Sequence, residues 1–296
     1  MAPLLRTRLI AACVVFVALV TFAGGVLFER YVGTDAFIDW AGLRHRLALH
    51  QVRSLRIDRA PATLPKTAPG RTMVALVFGQ SNAGNSGETR AAPHPGVFEV
   101  HRGRIYEARD PLLGATGDGG SVWMRLAAKA IASGAYDTVV LVPFAFGTAD
   151  IASFAPGGSL HEGLLDAIAG ARERGLAFTH LLWEQGEADA IERTSGEVYR
   201  QKFGAMLASI RGLGVGAPIY VARAMRCSKV HPSAEIADAQ SALADPAAGI
   251  LPGPDLDTLG FADRYDGCHF STDGLERAAE LWLGALKPAR DAKAPL

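Results

Sequence analysis

The sequence predicts an α/β fold built on a doubly wound parallel sheet. Compact apolar runs without polar alternation occur at residues 73–78 (MVALVF), 138–143 (TVVLVP), 179–183 (THLLW) and 219–222 (IYVA), the pattern of strands buried on both faces. Amphipathic helical stretches separate or follow them, at residues 122–133, 160–174, 196–213, 233–243 and 273–286. Alternation of strand and helix points to helices on both faces of one parallel sheet. Residues 97–108 instead alternate about Arg102 and Gly103 and read as an inserted hairpin. In such a sheet ligands bind beyond the carboxyl ends of the strands, so the residues following each run are the candidates for chemistry.

With 296 residues and 49 % hydrophobic content, the chain has ample core material. Its 30 Lys plus Arg balance 30 Asp plus Glu, so no electrostatic pull toward nucleic acid exists and none is expected as a partner. Residues 9–28 (LIAACVVFVALVTFAGGVLF) are uncharged and apolar, long enough to span a bilayer core of about 30 Å. Arg6 and Arg8 precede this segment, whereas Glu29, Arg30, Asp35 and Asp39 follow it without a positive excess. The expected organisation is a cytoplasmic tail (residues 1–8), a transmembrane anchor (9–28), and an extracytoplasmic remainder, periplasmic in a Gram-negative cell. A signal peptide is the alternative, with Thr21-Phe22-Ala23 as a poor cleavage site.

Residues 29–70 then carry a juxtamembrane helix and a linker. Residues 35–58 repeat apolar groups at helical spacing, with Arg44, His45, Arg46, Arg53 and Arg56 on the other faces. The stretch RAPATLPKTAPG (59–70) is Pro-rich and reads as the linker to a domain covering 71–296. Of three cysteines, Cys13 falls in the apolar segment, leaving Cys227 and Cys268 as a pair in an oxidising space.

Four blocks can carry chemistry. The first, VFGQSNAGNS (77–86), holds the only asparagines of the chain, Asn82 and Asn85, beside Ser81. A serine on the turn after a strand exposes its hydroxyl at the top of the sheet, with backbone N–H groups converging beside it. Gly, Ser and Asn equally make ordinary turns, and the G-x-S-x-G elbow is absent. The second, GATGDGGSVW (114–123), places glycines before a helix, where backbone N–H groups approach a ligand or merely cap a loop. The third, LLWEQGEADA (181–190), ends a strand with Glu184, Gln185, Glu187 and Asp189, a costly burial unless these groups line a polar cavity. Carboxylates alone suit hard cations, but no H-E-x-x-H or Cys/His cluster is present and no metal or other cofactor is expected. The fourth, RYDGCHFSTDG (264–274), sets Asp266 and His269 three apart before the last helix, a spacing at which a carboxylate can orient an imidazole.

Taken in order, GQSNA, GDGGSVWMRLA, WEQGEAD and DGCHF resemble the four blocks of the SGNH (GDSL-like) hydrolases, specifically the sialate O-acetylesterase-like branch of carbohydrate esterases. The resemblance spans residues 72–286 and implies a flavodoxin-like three-layer α/β/α sandwich, a serine esterase activity without cofactor, and an O-acetylated glycan as substrate. Carried over by position, it implies Ser81 as nucleophile, His269 as general base and acid, and Asp266 as its orienter. The oxyanion hole it implies consists of the Ser81 N–H, the Gly120 N–H and the Gln185 side chain. Gly119 is the alternative donor, because the glycine block is looser than the family form. Gln80, Asn82, Glu187 and Asp189 are implied as supporting or substrate-side groups, while Asn85 is left as a turn residue. Cys227 stands a few residues past a strand end, where the His269 loop is also expected, so a bridge to Cys268 would tie down that loop. The same triad can pass an acetyl group to a sugar hydroxyl, or act on lipid esters or thioesters, and a non-catalytic glycan-binding module is the reading from another class.

Overall fold

Side chains along β1 (Thr72–Gly79) alternate between two cores. Val74, Leu76 and Phe78 pack into one, while Met73, Ala75 and Val77 pack into the other, which is why the run shows no polar alternation. The computed structural model describes residues 33–54, 57–227 and 233–286, and the segment 9–28 expected as an anchor lies outside them with its tail. No helix among the described residues is long and apolar enough to cross a membrane. The chain divides into two units, Met1–Arg44 and His45–Leu296. In the first, the described part is the beginning of helix α1 (Gly33–Ser54), in the stretch where a helix is expected.

The second unit carries one seven-stranded sheet. After β1 come the hairpin β2 (Val97–His101) and β3 (Arg104–Glu107), then helix α2 (Val122–Ala132) and β4 (Thr138–Ala145). They are followed by α3 (Ile151–Phe154), α4 (His161–Arg172), β5 (His180–Glu184), α5 (Glu187–Glu192), α6 (Gly196–Gly212) and β6 (Ile219–Arg223). The chain ends in α7 (Ala234–Ala242), β7 (Ile250–Asp255) and α8 (Thr272–Leu286). Strand order is β3-β2-β4-β1-β5-β6-β7, parallel except for the antiparallel edge strand β3. Helices α2 and α8 pack on one face and α4, α6 and α7 on the other, so the expected three-layer α/β/α sandwich is present. The five strands β4-β1-β5-β6-β7 have the flavodoxin-like order, with the switch point at β1.

Three expectations change. The hairpin is no separate insertion: Val97 to Glu99 pair in parallel with Val139 to Leu141, so β2 extends the main sheet. Strand β7 was invisible in the sequence because Pro252, Gly253 and Pro254 interrupt it, a composition tolerated at the sheet edge, where no further ladder is needed. The Pro-rich stretch expected as a linker is laid against β3 in its first part. Ala62 N–H donates to the Ile105 carbonyl at 2.8 Å, and Pro61 bridges Tyr106.

Arg59 explains that docking. Its guanidinium pairs with the fully buried Glu99 carboxylate and donates to the carbonyls of Arg109, at 2.8 Å, and Pro111. Burial pushes Glu99 up to about 7, and the Arg59 charge works against that rise. Removing one partner of a buried pair strands the other. Arg59→Ala is therefore expected to lower unfolding stability by at least about 2 kcal/mol in urea titrations. A loss within about 0.5 kcal/mol would show the segment to be a passive tether.

Candidate active site

Three loops meet at the carboxyl end of β1, the topological switch of the sheet. They follow β1, β4 and β5, and the turn before α8 joins them through hydrogen bonds. The first loop opens with Gly79, whose φ of +142° is one L side chains rarely adopt. A Cβ there would run into the Glu184 carbonyl. That close approach lets Gln80 N–H donate to the same carbonyl at 3.1 Å, locking the β1 turn to β5. Ser81 then begins a 3-10 turn, Ser81–Ala83, where first-turn N–H groups have no partner inside the turn. Trp123 Nε1 donates to the Ala83 carbonyl at 2.7 Å and pins the turn from α2.

The Asp266–His269 pair forms as expected. Asp266 Oδ2 lies 2.6 Å from His269 Nδ1, while Oδ1 accepts the N–H groups of Cys268 at 2.8 Å and His269 at 2.7 Å. Partial burial would raise the Asp266 carboxyl, but those N–H groups and the imidazole outweigh it and hold it below its ordinary value. The other expected bridge is also present, joining Cys227 to Cys268 between the two dyad residues. Asn82, next to Ser81, donates to the Cys268 carbonyl at 3.3 Å. Tyr265, just before Asp266, donates its hydroxyl to the Ser86 carbonyl at 3.3 Å and is half exposed beside the imidazole. Ser81 and the dyad therefore belong to loops bonded to each other. No hydrogen bond joins Ser81 Oγ to His269 among the described residues.

The expected oxyanion donors are placed differently. Gly120 N–H donates to the Gly87 carbonyl at 3.0 Å and Gly119 N–H to the Asn85 carbonyl at 2.8 Å. Both groups take part in backbone pairing beside the Gly87–Gly120 bridge, and a Cβ would run into the Gly87 carbonyl from Gly119 and into the Thr89 carbonyl from Gly120. Gln185 is likewise spent. It is fully buried, with Nε2 bonded to Asp189 Oδ2 at 2.5 Å and to Gln80 Oε1 and the Ala149 carbonyl at 3.2 Å each, while Oε1 accepts from Tyr199 at 3.0 Å. Gln80 Oε1 also caps α5, accepting from Gly186 N–H at 3.2 Å and Ala188 N–H at 3.0 Å. Asp189 Oδ2 holds Ile151 N–H at 2.8 Å at the start of α3.

Gln80, Gln185 and Asp189 thus weld three loops together underneath the site. Gly147 is the residue that sequence reasoning missed. It follows β4, and a Cβ built on it would lie 3.9 Å from the Ser81 Cβ. Its N–H donates to Thr116 Oγ1 at 2.8 Å, and the following Thr148 holds a left-handed φ of +63°. The signal was its place directly beyond a strand end. Asn85 also has a structural part: its side chain bonds the Leu112 backbone at 2.7 and 2.9 Å and the Ala115 carbonyl at 3.2 Å. Among the described residues no cluster of His, Cys, Asp or Glu could hold a metal ion.

The family model for carbohydrate esterases, described as sialic acid-specific acetylesterase, matches residues 71–285. The chain belongs to that family. A solved structure of an Arabidopsis thaliana protein is similar in fold, with 21 % identity and a TM-score of 0.61, covering 76 % of this chain and 99 % of its own. The structure of NanS is also similar, with 16 % identity and a TM-score of 0.51, covering 76 % of this chain and 100 % of its own. No curated protein sequence matches the chain significantly.

Below the site, this carboxylic ester hydrolase buries three further carboxyl groups. Burial raises Glu184 to about 8, helped by the neighbouring Glu187, and Trp282 Nε1 donates to its Oε2 at 3.1 Å. Burial likewise raises Glu187, and raises Asp189 to about 6. Folded Glu184 keeps a proton that the unfolded chain, titrating near 4.5, has already released. Its stabilising contribution is complete below that unfolded value and is lost as pH rises through the folded one. His180, pushed down to about 4 by burial, works in the opposite sense only below its ordinary 6.5. The urea midpoint of the esterase is therefore expected to fall from about pH 6.5 to about pH 8.5, and Glu184→Gln to flatten that fall. An equal slope in the variant would contradict the assignment.

Proposed function

We propose that the esterase hydrolyses O-acetyl esters of carbohydrates by a Ser81–His269–Asp266 mechanism. The observation that carries this reading is the Asp266–His269 pair on a loop whose Cys268 carbonyl is bonded to Asn82, the residue next to Ser81. Ser81 Oγ attacks the acetyl carbonyl and gives its proton to His269 Nε2, while Asp266 holds Nδ1–H and stabilises the imidazolium. The tetrahedral oxyanion is received by the Ser81 N–H and by the Gly147 N–H, which gives up Thr116 Oγ1. Collapse breaks the ester bond, and the imidazolium protonates the departing sugar oxygen. Water, deprotonated by His269, then attacks acetyl-Ser81, and the imidazolium returns the proton to Ser81 Oγ as acetate leaves. The family description supports a sialic acid or related sugar as the acetyl bearer.

In this reading residues 9–28 anchor the protein and the unit after them works outside the cytoplasm. The Cys227–Cys268 bridge supports that location, because such bonds persist in oxidising compartments. Ser81→Ala is expected to reduce hydrolysis of p-nitrophenyl acetate and of an O-acetylated sialic acid by about 10³-fold or more, with an unchanged melting temperature. Activity within about tenfold of the native protein would refute the serine mechanism.

A further inference from the structure

The backbone immediately before the catalytic histidine is gripped at every polar point. Cys268 N–H donates to Asp266 at 2.8 Å, and its sulfur is bridged to Cys227. Its carbonyl accepts from two side chains, Asn82 Nδ2 at 3.3 Å and Arg264 Nη1 at 2.5 Å. Asn82 is itself held from behind, since the same Nδ2 donates to Glu187 Oε1 at 2.6 Å. Both neighbours of that nitrogen are acceptors, so the amide orientation is dictated by its surroundings. One amide group therefore links the residue after the nucleophile to the residue before the base.

Glu187 is the buried end of this chain of contacts. It is 2 % exposed at the start of α5 and carries no part in the hydrolysis described above. Its second oxygen, Asn82 Oδ1, Glu184 Oε1, Asp257 Oδ2 and Arg264 Nε are buried without a hydrogen-bond partner among the described residues. Arg264 is electrostatically coupled to Glu187, Asp257 and Glu184. Buried polar groups left without hydrogen-bond partners cost stability. A chain that keeps such a cluster under the His269 loop gains geometry from it, because reacting groups misplaced by about 1 Å lose about 100-fold in rate.

We propose that Glu187 is a positioning residue that sets the Ser81 to His269 spacing through Asn82, with Arg264 closing the grip on the Cys268 carbonyl. The inference rests on the Ser81–His269 mechanism and adds a residue to it. What Glu187 supplies is an acceptor that aims the Asn82 N–H groups.

Steady-state hydrolysis of p-nitrophenyl acetate by the full chain, with melting temperature recorded for each variant, tests it. Glu187→Leu is expected to lower kcat by about 10- to 100-fold with KM within about twofold, whereas Glu187→Gln, which keeps an acceptor oxygen, stays within about threefold of native. The pair should act as one unit, so Glu187→Leu combined with Asn82→Leu loses no more than Asn82→Leu alone. Leu164→Ala, a cavity in α4 remote from these loops, is expected to lower the melting temperature while leaving kcat unchanged. Native kcat in Glu187→Leu, equal losses in the Leu and Gln variants, or additive losses in the double variant would each overturn the proposal. If Glu187→Leu does not fold, Asn82→Asp replaces the donor by a carboxylate facing two acceptors, and a native kcat there overturns it equally. Ser81→Ala in the same assay separates the two levels: an active Ser81→Ala removes the mechanism itself, whereas an inactive one beside a fully active Glu187→Leu removes only the positioning role.

Discussion

The contact on which the site depends is the close approach of Gly79 to the Glu184 carbonyl, where β1 and β5 run side by side. Only a glycine permits it, and the Gln80 N–H bond to the same carbonyl follows from it. With β4 on its other side, β1 stands at the reversal of strand order, so three loops open toward one crevice. Ser81 owes its place to this topology before any catalytic group is considered. The polar side chains after β5 keep the loops together: Gln185 reaches Gln80 and the Ala149 carbonyl, and Asp189 reaches the start of α3.

That arrangement explains which features were legible in the sequence. Strands β1, β4, β5 and β6 are covered by helices on both faces, and uninterrupted apolar runs announce such burial. The Asp266–His269 pair was readable because its partners are three residues apart and bond within one turn. The Cys227–Cys268 bridge was anticipated on the position of both cysteines at one end of the sheet. The surroundings of the expected oxyanion donors were hidden for a different reason. Gly119 and Gly120 satisfy a motif position, yet their N–H groups answer to Gly87 and Asn85, residues separated from them by about thirty positions that no local pattern ties to them. The resemblance implied Gln185 as an oxyanion donor, and its acceptors Asp189 and Gln80 became visible only in three dimensions. Gly147 lay unmarked because a single glycine after a strand has no signature apart from its place.

The Pro-rich stretch teaches the same lesson about composition. Prolines at 61 and 65 suggested a spacer, but Arg59 carries the one cation that the buried Glu99 requires, and the chain is drawn onto the sheet edge. Burial of ionisable groups recurs on the other side of β1, where Glu184, Glu187 and Arg264 lie near the His269 loop. In both places desolvation raises a buried carboxyl and the charge of an arginine works against the rise. Arg59 fastens the preceding segment, and Arg264 donates to the Cys268 carbonyl.

The central claim is that Ser81 is an activated nucleophile in a preorganised site. Treating the purified protein with a fluorophosphonate and locating the adduct by peptide mass spectrometry tests it directly. A single phosphonyl group on Ser81, formed at least about tenfold more slowly in a His269→Ala variant, is the predicted result. An unlabelled Ser81, or labelling at a rate independent of His269, would contradict it.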